Sequence, residues 1–136
     1  MKLEFEYATD GSWIVAVFGA NADIALLTEA AVKLRAYRET HPGAGSIADL
    51  RAIENFDVDA RALRVGTATG VEWDAEHADR AGRFALVTDS DLTYALARQY
   101  QARRNSGVTL IEIFETREAA EAWLALPEHP ASLDVG

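Results

Sequence analysis

With 136 residues, 49% of them apolar, the chain has the length of one domain and enough apolar surface for a single core. Its 22 acidic against 13 basic residues give a formal charge of -9, the sign that nucleic acid and anionic lipid also carry, so a basic protein is the better electrostatic match. Cysteine is absent, which excludes disulfides, thiolate chemistry and cysteine-rich zinc sites.

The longest apolar run, Trp13 to Phe18, is far shorter than the roughly 20 residues a membrane helix takes. The N-terminus alternates charged with apolar side chains, unlike a signal peptide. The reading is therefore one cytoplasmic domain over residues 1–126, with no membrane insertion, followed by a flexible tail at 127–136.

Leu3, Phe5 and Tyr7 alternate with Lys2, Glu4 and Glu6, the pattern of an edge strand with one wet side. Asp10 and Gly11 suit a tight turn, and Trp13 to Phe18, apolar on both faces, suits an interior strand. Asn21 or Asp23 caps a helix whose Ile24, Leu27, Ala31 and Leu34 form its apolar stripe, with Glu29 and Lys33 on the solvent side. His41, Pro42 and Gly43 end it, and Ser46 to Leu50 follows as a short buried strand.

Asp57 opens a second helix running to about Val65, with Arg61 one turn on. Gly66, Gly70 and Gly82 interrupt the next stretch, which has room for a further short helix near Trp73 to Asp79. Phe84 to Thr88 is a strand. Asp89 or Ser90 caps a helix to about Arg104, and Val108 to Phe114 is the last strand. Thr116 caps the closing helix, whose first turn holds Glu118 and whose stripe is Ala120, Trp123 and Leu124. Together these make an α/β fold: a mixed, mostly parallel sheet of about five strands, opened by a β-hairpin and covered by four or five helices.

That order of elements resembles the STAS superfamily, and several stretches look like its SpoIIAA-like branch. They are Phe84 to Thr88, Asp91 to Arg98 with its closing alanine-arginine pair, Ile111 to Phe114, and Thr116 to Leu124 with its closing tryptophan-leucine pair. Ala48 to Arg51 is similar to the branch's strand ending in aspartate-leucine. The resemblance spans about residues 3 to 126 and implies the fold more strongly than a function, because its motifs are packing signatures. In anti-sigma antagonist members a serine opening the helix after the third strand is phosphorylated and governs partner binding. Here Ala52 to Asp57 holds no serine or threonine, so that switch has no acceptor. A permanently acidic loop imitating the phosphorylated form is one reading, and Asp57 as a plain helix cap is the commoner one.

Other constellations give way to simpler accounts. Gly43 to Ala48 fits a dinucleotide-binding pattern formally, but it follows a helix and precedes a strand, the reverse of the order a phosphate cradle needs. A phosphate-receiving signalling domain needs an acidic pair after the first strand and a lysine after the last, where this chain has Phe114, Glu115 and Thr116. Glu72, Asp74, Glu76, His77 and Asp79 read as a solvated acidic face rather than a metal site, since no matching set occurs elsewhere. None of the serines lies in a nucleophile elbow. No catalytic residue, cofactor or metal is therefore expected.

Ligands of open α/β sheets gather beyond the carboxyl ends of the parallel strands. These ends carry the candidate binding residues Asp49, Arg51, Glu54, Asn55, Asp57, Asp89 and Ser90. The leading reading is a noncatalytic regulatory or protein-interaction domain, with a basic protein or a second copy of itself as partner. The alternative is a binder of a small organic or lipid-like molecule at the same strand ends.

Overall fold

The computed structural model describes residues 2–57, 61, 82–104 and 109–126. The chain opens with β1 (Leu3–Tyr7) and β2 (Trp13–Phe18), joined as the hairpin that Asp10 and Gly11 announce. The Asp10 carboxylate accepts from the Ser12 amide at 3.0 Å, and Gly11 takes a φ of 76°, a conformation that glycine adopts without strain. A short β3 (Asn21–Asp23) leads directly into α1 (Ile24–Thr40). Of the two candidate caps it is Asp23 that acts, accepting from the Leu26 amide at 2.9 Å.

Then come β4 (Gly45–Asp49), β5 (Asn55–Asp57), β6 (Arg83–Val87), α2 (Asp91–Arg104), β7 (Leu110–Phe114) and α3 (Arg117–Leu124). The main sheet is mixed, with five strands in the order β1-β2-β4-β6-β7. β1 runs antiparallel to β2 at one edge, while β2-β4, β4-β6 and β6-β7 are parallel.

The sheet sorts its side chains into two cores. Ile14, Ala16, Phe18, Ala48 and Leu86 face α1 and α2, which contribute Ala30, Leu34 and Ala97. Val15, Ile47, Ala85 and Val87 face the opposite way, toward Ala120 of α3, with Trp13, Trp123 and Leu124 packed around them. Since β4 is buried along its whole length, both layers are needed to cover it.

Several expectations need correction. Among the described residues there are three helices, not four or five. Asp57, expected to open a helix, is the last residue of β5, which pairs in parallel with β3 through Asn21↔Asn55, Ala22↔Phe56 and Asp23↔Asp57, just as Asp23 ends β3 and still caps α1. Arg61 is helical, but the rest of that expected helix, the one near Trp73 to Asp79 and the acid-rich stretch from Glu72 lie outside the described residues, as do 127–136. Ile24 is 42% exposed and does not belong to the inward stripe of α1, which is centred on Ala30 and Leu34. No described helix is long and apolar enough to cross a membrane.

Gly45 marks a close approach of α3 to the sheet: a Cβ placed there would lie 2.6 Å from Cδ2 of Leu124. Gly45→Ala should therefore destabilise the fold by about 1–3 kcal/mol through overpacking. In a Leu124→Ala background most of that cost should vanish, since the crowding atoms are gone. A double-mutant cycle in urea checks this, and an unchanged cost in both backgrounds refutes the contact.

Candidate functional site

The strand ends bring part of the expected set together. Asp49 closes β4 with its side chain on the α3 side of the sheet, and only 5% of the residue is exposed. A carboxylate so placed has lost most of its water and needs donors in return. Arg51, two residues on, turns back on it: Nε donates to Oδ1 at 2.9 Å and Nη2 to Oδ2 at 2.8 Å, with the Arg51 amide adding a third bond to Oδ1 at 3.2 Å. This fork geometry is specific to arginine. Arg51 is held above the usual guanidinium range, first by its hydrogen bond to Asp49, then by the negative charge of Asp49, Asp89 and Glu118 acting against partial loss of water.

A second arginine arrives from the far end of the sequence. Arg117, the first residue of α3, places Nη1 4.0 Å from Oδ2 of Asp49 and Nη2 3.2 Å from Oε1 of Glu6 and 3.4 Å from Oε2 of Glu121. Its guanidinium also lies 6.0 Å from the centre of the Trp13 ring. Thr116 fixes the start of this helix by accepting from the Ala119 amide at 3.1 Å, which aims Arg117 at the sheet.

The remaining candidates divide. Asp89 is exposed and close enough to Arg51 to favour its charge. Ser90 caps α2, its Oγ accepting from the Thr93 amide at 3.2 Å and lying 2.8 Å from Oγ1 of Thr93. Glu54 and Asn55 belong to a separate tie: both of their amides donate to the Ala20 carbonyl, at 2.8 and 2.9 Å, and the Asn55 amide group donates to Oδ1 of Asn21 at 2.9 Å. With Asp57 in β5, that half of the set holds the loop down against β3 rather than meeting Asp49. Glu6, Arg117, Glu118 and Glu121 are not among the candidate binding residues that the strand ends suggest. The pair of acids flanking an arginine at the start of α3 was the one local hint, at Glu115 and Glu118.

The site is thus a charge cluster in which two guanidinium groups are occupied by carboxylates and surplus acids face outward. Among the described residues no three histidine, aspartate or glutamate side chains gather so as to hold a metal ion. His41 lies at the other end of α1, stacked on Tyr37 at 4.0 Å between ring centres.

No protein-family model matches the chain, and no curated protein matches it either. Among solved structures, an uncharacterized protein of the DUF3478 family from Shewanella loihica PV-4, with a SpoIIAA-like fold, superposes with a TM-score of 0.58. The alignment covers 90% of this chain and 92% of the other at 14% identity. The chain has the SpoIIAA-like fold. At that identity the likeness speaks for architecture, and the charge cluster at the strand ends of this SpoIIAA-like fold has to be judged on its own geometry.

Asp49→Asn should cost about 2 kcal/mol in urea-induced unfolding, because it leaves two guanidinium groups short of a buried counter-charge. Arg51→Ala should cost about as much, since it takes both side-chain bonds of the fork from a carboxylate only 6% exposed and leaves it Arg117 at 4.0 Å. A cost below about 0.5 kcal/mol for either substitution would show that Asp49 is not the hub of the cluster.

Proposed function

We propose that the chain is a noncatalytic regulatory or protein-interaction domain that recognises a basic protein surface through the loop from Arg51 to Asp57 and the acids beside it. The observation that carries this reading is the way the loop is held. Its backbone is stitched to Ala20 and to β3, so it is ordered before any partner arrives, while the side chains of Glu54 and Asp89 point into solvent. An ordered loop loses little conformational freedom on binding, which favours recognition by a rigid surface.

Electrostatics set the sign of the partner. Arg51 and Arg117 are engaged by carboxylates of the same chain, so the charge presented outward is that of Glu54, Asp89 and Glu118, in keeping with the overall charge of -9. Such a surface steers a basic partner inward and slows its escape. Regulation by phosphorylation within Ala52 to Asp57 has no hydroxyl to act on, so the acidity of this loop is constant rather than switched. The noncatalytic part of the proposal rests on how the reactive groups are used: Ser90 caps a helix, and the arginines and Asp49 neutralise one another.

Native mass spectrometry and affinity capture from the host test the proposal. The wild-type chain should retain a basic protein, and Glu54→Ala with Asp89→Ala should weaken that capture about tenfold without lowering the melting temperature. Capture indifferent to both substitutions, or a small organic molecule retained in place of a protein, would overturn it.

A further inference from the structure

The two edges of the main sheet are treated differently. At β7 the register turns Leu110, Glu112 and Phe114 toward β6 and leaves the backbone of Ile111 and Ile113 pointing outward. That edge is guarded, because the Gln101 side chain reaches down from α2 and donates to the Ile111 carbonyl at 2.8 Å.

At β1 no such guard is present among the described residues. The Lys2 carbonyl accepts from the Gly19 amide and the Ala8 amide donates to the Trp13 carbonyl, so the even-numbered residues of this strand face β2. Leu3, Phe5 and Tyr7 therefore direct their N–H and C=O groups to the open side. A row of such groups is a template for another strand.

We propose that this edge pairs antiparallel with β1 of a second copy of the chain, in the register that sets Leu3 against Phe5 and Lys2 against Glu6. Charge decides the occupant and the register. A two-fold axis normal to the sheet must bring side chains of the same face together, which restricts self-pairing to alternate registers. Centring it on Phe5 would oppose Glu4 to Glu6 twice, four carboxylates with no cation between them. Centring it on Glu4 opposes Lys2 to Glu6 twice, at the cost of a single Glu4 pair on the axis, and makes about four new backbone hydrogen bonds through Leu3 and Phe5. Lys2 is one of only two lysines in the chain. Glu6 is 53% exposed beyond its contact with Arg117 and has acceptor capacity left for it.

On the opposite face Leu3 and Phe5, both half-buried in one copy, cover each other. The two main sheets become one sheet of ten strands, twice the five of a single copy. The contact is small, so the dimer is weak and depends on concentration. The pairing does not rest on the partner-binding proposal above.

Sedimentation equilibrium of the full chain, combined with amide hydrogen exchange, tests it. A monomer–dimer equilibrium is expected, with the amides of Leu3 and Phe5 better protected as concentration rises. Lys2→Glu should weaken the dimer about tenfold, and Glu4→Gln should tighten it about threefold by removing the repulsion on the axis. Both positions are exposed, so circular dichroism of the variants should match the parent. A chain monomeric at every concentration, a dimer that ignores both substitutions, or exchange at Leu3 and Phe5 that does not vary with concentration would each overturn the proposal.

Discussion

Burying β4 on both sides is the constraint from which the rest of this structure follows. From Gly45 to Asp49 every residue of that strand is withdrawn from water, which demands helices above and below the sheet and parallel neighbours to saturate its backbone. The strand nevertheless ends in a carboxylate. Leaving Asp49 charged and unpaired there would cost several kcal/mol, so the fold must deliver cations to it. It delivers one from the adjacent turn and one from the first residue of α3, and the charge cluster at the strand ends is the consequence.

This arrangement separates charge by sign. Positive groups are drawn inward, where carboxylates and the face of Trp13 hold them, while acids in surplus remain at the surface. A chain with nearly twice as many acids as bases has few cations to spare, and the two arginines of the cluster serve structure before anything else. What is left to meet other molecules is negative charge on an ordered frame.

Legibility in the sequence tracked how local each feature is. The hairpin was readable because alternation from Leu3 to Tyr7 and the Asp10-Gly11 turn are written in neighbouring residues. The caps at Asp23, Ser90 and Thr116 were readable for the same reason, since a capping side chain serves an amide only three residues away. The β3–β5 pair was not. Its strands are three residues long and rich in asparagine and aspartate, which disfavour strands on their own, and they pair because α1 and the loop after β4 start from the same end of the sheet. Arg117 was invisible as a site residue because its contact with Glu6 spans 111 positions and no periodicity encodes it.

Arg83 links the end of the described chain to its middle. From β6 its Nη1 donates to the carbonyls of Trp123 at 2.6 Å and Leu126 at 2.9 Å, and its guanidinium lies 5.5 Å from the centre of the Trp123 ring. It thereby clasps the carboxyl end of α3, where the helix dipole welcomes a cation. During synthesis on the ribosome α3 emerges after every strand of the sheet, and neither this clasp nor the contact between Arg117 and Asp49 exists until it has docked. Up to that moment Arg51 is the one described cation on Asp49 and the Val15, Ile47 and Val87 surface lacks the cover of α3, so of the described helices the one that emerges last seals this face against aggregation.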